Sequence, residues 1–105
     1  MIVDCRTYML KPGAVMPYLT LYQREGLPVQ TKHLGRPVGY YHTETGPLNQ
    51  IVHMWKYESV EDRAKRRAAL QADPDWQAYL KKVTSLNYIE KQENKILIPA
   101  PFLSI

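Results

Sequence analysis

Three side chains able to do chemistry stand at a spacing of two within the segment QIVHMWKY: His53, Trp55 and Tyr57. A strand sends alternate side chains to the same side, so all three share one face. Histidine changes charge near neutral pH, which suits His53 to general acid/base work or to holding a ligand. The structural alternative is a buried neutral imidazole, hydrogen-bonded to its neighbours. Arg6 and Tyr8 share a face of a second strand pattern, IVDCRTYML, with Asp4. An arginine in a small pocket can clamp a carboxylate or an enolate. Equally, Asp4 and Arg6 can pair with each other. His53, Arg6 and Tyr8 are therefore the candidate catalytic residues, and Trp55, Tyr57, His42 and Tyr40 the candidate ligand-binding ones. Eight tyrosines are many for 105 residues. Those on strands can line an aromatic pocket for a flat hydrophobic ligand, or serve as packing.

Other candidates weigh toward structure. His42 lies on the strand before His53 and can sit across from residues 51–53, which invites a metal reading. A third ligand at suitable spacing is missing, so no metal site is expected. His33 ends a helix, where a cation suits the helix dipole. Arg63, Arg66 and Arg67 can form an anion site or a solvated helix face, with Arg63 paired to Glu61 or Ser59. Trp76 and Tyr79 read as core of an outer helix. The chain has no Gly-rich phosphate loop, nucleophile elbow, H-E-x-x-H or dinucleotide fingerprint. That argues against nucleotide-driven, triad and zinc-hydrolase chemistry, and no cofactor is expected.

The elements that must position these residues follow from periodicity and punctuation. Residues 2–10 alternate as a strand, which Lys11-Pro12-Gly13 ends. A helix follows from about Ala14 to Lys32; Pro17 fits only in its first turn, so it starts near Val15 or Met16. Pro28 should kink or break it after Gly26-Leu27. Residues 38–44 and 48–57 form a hairpin around Thr45-Gly46-Pro47. Ser59 caps a helix that runs to about Gln71, and Asp73-Pro74 starts another, with Trp76, Tyr79, Leu80 and Val83 on its apolar face. Residues 88–98 form the last strand.

The order β-α-β-β-α-β is the ferredoxin-like arrangement: an α+β fold with an antiparallel four-stranded sheet and helices on one face. In the third strand Ile51, His53, Trp55 and Tyr57 oppose Val52 and Met54. Both faces carry large apolar groups, yet helices cover only one. A second copy stacking sheet on sheet is the simplest cover, which predicts a homodimer. The proline-broken apolar tail, residues 99–105, is expected to dock on this subunit or on its partner.

Composition bounds the rest. The length fits one domain, residues 1–105, and 45% hydrophobic with 23% charged residues is a globular balance. A net charge of +4 without a clustered basic motif predicts no nucleic-acid partner. The single cysteine, Cys5, excludes an internal disulfide and reads as a small buried side chain in a reducing compartment. No signal-peptide pattern opens the chain and no run of about eighteen apolar residues could span a bilayer. A cytoplasmic protein without a membrane partner is expected.

An ordered set of motifs resembles a known family. Arg6-Thr7-Tyr8 with Lys11-Pro12-Gly13, then His53-x-Trp55-x-Tyr57-x-Ser59, then Arg63 with Arg66-Arg67, and Asp73-Pro74-x-Trp76-x-x-Tyr79 together look like a NIPSNAP-type domain of the dimeric α/β-barrel superfamily. The resemblance implies a ferredoxin-like subunit that pairs into a barrel of two sheets with the helices outside. The superfamily includes cofactor-free monooxygenases, haem-degrading enzymes, isomerases, dehydratases and stress-response proteins, while NIPSNAP members share no settled activity. Small molecules in the superfamily often occupy a cavity between helices and sheet, which makes helix-facing strand residues the pocket candidates. Two functional readings result: a dimeric small-molecule-binding protein, or a cofactor-free monooxygenase- or isomerase-type enzyme on a hydrophobic or aromatic carbonyl compound.

Overall fold

Alternation in IVDCRTYML produces β1 (Ile2–Leu10), which pairs antiparallel with two strands far along the chain. These are β3 (Gln50–Tyr57) and β4 (Ile89–Leu97), and β2 (Gly39–His42) adds to the outer edge of β3. The sheet order is β2-β3-β1-β4 in this computed structural model, which describes residues 1–103. Register decides what meets what. Asp4 lies beside Trp55, Arg6 beside His53 and Tyr8 beside Ile51, while Tyr40 and His42 of β2 lie beside His53 and Ile51. His53 is thus flanked by Arg6 on one side and Tyr40 on the other.

The first crossover differs from expectation in one respect. Instead of breaking at Pro28, the helix runs on as α1 (Val15–Leu21), a π-helical turn (Tyr22–Gly26) and α2 (Leu27–Leu34). A proline lacks the N–H for the usual bond, and its ring collides with the carbonyl four residues back. A widened turn just before it absorbs both problems. Gly26 closes that turn for a packing reason: a Cβ there would lie 2.8 Å from the rings of both Tyr22 and Tyr79.

The second crossover follows its caps. Ser59 Oγ accepts from the Asp62 N–H at 3.0 Å and starts α3 (Val60–Ala72). Asp73 accepts from the Asp75 N–H at 2.9 Å and starts α4 (Pro74–Leu86), which ends on left-handed Asn87. His33 joins the crossovers: its Nε2 lies 2.8 Å from the Asp73 carboxylate. The hairpin is looser than expected, since β2 stops at His42 and β3 starts at Gln50.

The helices cover one face. Ile2, Leu10, Ile51, Trp55 and Tyr57 point into the core with Tyr18, Leu21, Leu70, Trp76, Tyr79 and Val83 of the helices. Val3, Cys5, Met9, Val52 and Met54 alternate onto the other face, and the thinnest dimension, 19 Å, has room for one sheet and one helix layer. The tail's large apolar side chains stay out of the core, for Phe102 is 90% exposed and Leu103 58%. Ser104 and Ile105 of that tail lie outside the described residues.

Candidate functional site

His53 projects to the helix side and is almost completely buried. The Trp55 Nε1–H donates to its Nδ1 at 2.7 Å. An indole N–H can only donate, so Nδ1 must be the accepting nitrogen and the ring proton sits on Nε2. Burial first, and the nearby Arg6 cation second, hold the imidazole down to a pKa of about 3. His53 is therefore neutral at physiological pH, and its Nε2–H has no partner among the described residues. Tyr8 stands edge-on to the imidazole and Tyr40 stacks on it, each with ring centroids 4.7 Å away.

These rings wall a chamber of about 400 Å³ between the sheet and the helices. Tyr18 and Tyr22 line it from the first crossover, Trp76 and Tyr79 from α4. It reaches the surface where exposed Thr84 and Asn87 meet the start of β4. Tyr22 donates to Gln30, another lining residue. Four lining residues carry buried polar atoms without a partner among the described residues: His53 Nε2, Tyr40 Oη, Tyr79 Oη and Trp76 Nε1. All four can donate a hydrogen bond. Burial keeps the phenols neutral: Tyr79 is pushed up to about 12, and Tyr18, Tyr22 and Tyr40 further still. Among the described residues the charged side chains on the lining are Glu90 and Lys91, both on exposed β4. The interior is thus a cluster of uncharged donors set in aromatic walls.

A second polar group lies beside it on the same sheet face. Asp4 is fully buried; its Oδ2 accepts from Arg6 Nη1 at 3.2 Å and Arg63 Nε at 3.0 Å, and its Oδ1 from Asn94 Nδ2 at 3.1 Å. Burial alone raises the carboxyl, but Asn94 and the two guanidinium groups outweigh it and hold the pKa below the usual carboxylate value. Arg63 therefore reaches across to Asp4, not to Glu61 or Ser59.

Comparison with known proteins places this geometry. The NIPSNAP family model matches residues 3–104. The chain belongs to the NIPSNAP family. A NipSnap homolog of Dictyostelium discoideum is 35% identical over 96 residues, 91% of this chain but 41% of its own length. The chain spans about two fifths of that relative and of a mouse NipSnap homolog 3B. A solved NIPSNAP family protein of Agrobacterium tumefaciens is 48% identical, with a TM-score of 0.92, over 98% of this chain and 91% of that one. A putative antibiotic biosynthesis monooxygenase from Nitrosomonas europaea has the same fold at 12% identity, with a TM-score of 0.66 over 94% of this chain and 98% of that one.

Within this NIPSNAP domain the predicted site residues divide. His53, Tyr8 and Tyr40 meet on the chamber wall. Arg6 lies beside His53 but spends its guanidinium on Asp4. Trp55 sits behind His53, fully buried, and orients it. Tyr57 is buried away from the chamber lining, and His42 is exposed at the sheet edge, also off it. The helix-borne half of the wall, Tyr18, Tyr22, Gln30, Trp76 and Tyr79, escapes a reading based on strands. One signal pointed to it: eight tyrosines against one phenylalanine. A core that needed only aromatic bulk has no use for so many hydroxyls. Among the described residues no helix is long and apolar enough to cross a membrane.

Proposed function

We propose that this NIPSNAP domain binds a small, uncharged aromatic compound in the chamber, with a carbonyl oxygen accepting from His53 Nε2–H. One observation carries the reading: four residues that line one chamber carry buried donors without partners among the described residues. An unpaired buried polar group costs about 1–3 kcal/mol, so a ligand supplying acceptors recovers stability the apoprotein lacks. Aromatic walls favour a flat ligand, and the uncharged interior disfavours a carboxylate. Tyr8 shapes the wall, while Arg6, beside His53, adds to burial in keeping the imidazole neutral.

The same donor supports a second reading, a cofactor-free enzyme on such a carbonyl compound. With a pKa near 3, His53 is too weak a base to collect a proton at neutral pH. As a neutral N–H donor it can stabilise negative charge developing on a carbonyl oxygen.

NMR titration of the His53 ring with 1-phenylbutane-1,3-dione tests the binding reading, with benzoate as the charged control. The dione should move the His53 signals, benzoate much less, and His53→Gln should weaken dione binding about tenfold or more, as expected for losing a buried hydrogen bond. Dione affinity that is equal in wild type and His53→Gln would sink it.

The apolar sheet face opposite the helices supports a homodimer, two copies stacking sheet on sheet. The expected particle in sedimentation is twice the 12.2 kDa chain mass. A monomer at micromolar concentration contradicts it.

A further inference from the structure

Two chamber walls have a second side. Tyr22 and Tyr40 line the chamber, and both also line an outer groove of about 390 Å³ between the first crossover and the connector to β2. Leu19, Leu27 and Pro37 supply the aliphatic part of its lining, with Gln23, Thr31 and Arg36 beside them. The contrast in chemistry is sharp: unpartnered donors inside, hydrocarbon outside. The partition is the ring pair itself, stacked with centroids 4.9 Å apart and planes 23° from parallel.

The two rings are held differently. Tyr22 is tied by its hydroxyl to Gln30 and by its ring to Tyr18, in parallel planes. Tyr40 makes no hydrogen bond of good geometry: its buried hydroxyl lies near the Tyr18 and Tyr22 phenols, and its ring is held by the stack on His53. It also stands on β2, a four-residue strand at the sheet edge that pairs on one side with β3. Short edge elements with few hydrogen bonds open at the low end of the free-energy scale. On the other side of the partition the backbone is the π-helical turn, a locally irregular stretch of the kind often found at binding sites.

We propose that chamber and groove are two halves of one ligand site, with Tyr40 turning aside to join them. The inference rests on the binding reading above and extends it to a substrate class: a neutral amphiphile with an aromatic carbonyl head and an aliphatic arm. The head takes the chamber donors, the arm passes between Tyr22 and Tyr40, and Leu19, Leu27 and Pro37 cover it. A purely polar or purely aromatic compound uses half the site.

Alkyl phenyl ketones of increasing chain length separate the two claims. Acetophenone reports the chamber alone; hexanophenone adds an arm. Burying each methylene strengthens binding up to about fourfold, so partial coverage of four gives about tenfold or more in affinity by tryptophan fluorescence. In methyl-labelled wild-type protein, hexanophenone should shift the Leu19 and Leu27 methyl signals and acetophenone should leave them in place. Leu27→Gln should remove most of the gain from chain length. Equal affinity for both ketones, or a gain with no movement at Leu19 and Leu27, overturns the two-part site while leaving the chamber reading intact. Failure of acetophenone to bind, or binding indifferent to His53→Gln, removes the chamber reading and this inference with it.

Discussion

Asp4 and His53 are neighbours on one face of one sheet, both buried, yet their surroundings are opposites. Around Asp4 every strong group has a mate: one carboxylate accepts from two guanidinium groups and an amide drawn from β1, α3 and β4. Around His53 the residues that line the chamber carry buried donors with no mate among the described residues. A buried charge cannot persist unpaired, so its partners must be built into the chain. Neutral dipoles can stay unpaired at a cost of a few kcal/mol each, which makes them affordable only where something else will meet them. The closed cluster is structure. The open one is the candidate for function.

The largest expected difference between them is in stability. Asp4→Asn keeps the shape but removes the carboxylate charge shared by Arg6 and Arg63, leaving two partly buried cations without their counter-ion. A loss of about 3 kcal/mol or more is expected in urea unfolding, the usual cost of breaking a buried ion pair from one side. A loss under about 1 kcal/mol would rank the cluster with surface pairs and erase the distinction drawn here.

Acid separates the two regions by pH window. The folded-state pKa of His53 is depressed, so below about pH 6.5 the unfolded chain takes up a proton that the folded chain refuses until about pH 3. Stability should therefore fall as pH drops through that interval, with a His53 contribution approaching about 1.4 kcal/mol per pH unit. The folded pKa of Asp4 is also depressed, but for a carboxylate this adds stability above its unfolded value. That share is lost only below about pH 4. Urea midpoints measured between about pH 7 and pH 4.5 in wild type and His53→Gln isolate the histidine. Parallel slopes would mean His53 is not the buried neutral group described.

Much of this was legible in the sequence, and the remainder fails for nameable reasons. Period-two patterning placed the first and third strands, the Thr45-Gly46-Pro47 turn placed the second, and the Ser59 and Asp73-Pro74 signals placed both later helices, because these are local rules obeyed locally. Pro28 marked where the helix would be disturbed but not whether it would kink or break; the chain shows a π-turn that ends at Gly26. Arg63 misled: its partner lies 59 positions away, where no i,i+4 rule reaches. His53 was legible as a candidate, but its role was not. The tautomer is set by Trp55 Nε1, a contact within one strand that spacing permits and only geometry demonstrates.

The smallest effect is the most discriminating. Tyr79→Phe deletes one buried hydroxyl that has no partner among the described residues. A hydroxyl in a satisfied network would cost about 1–3 kcal/mol to remove, because its partner would be stranded. Here nothing is stranded, so stability should stay within about 0.5 kcal/mol of wild type or rise slightly. The same change should weaken binding of 1-phenylbutane-1,3-dione by roughly fivefold, about 1 kcal/mol, if the hydroxyl meets the ligand. Stability and affinity would then move independently at Tyr79, whereas at Asp4 any effect on binding should follow from unfolding. A marked loss of stability in Tyr79→Phe would place its hydroxyl in a structural bond, and the chamber would lose one of the four donors that set it apart from the Asp4 cluster.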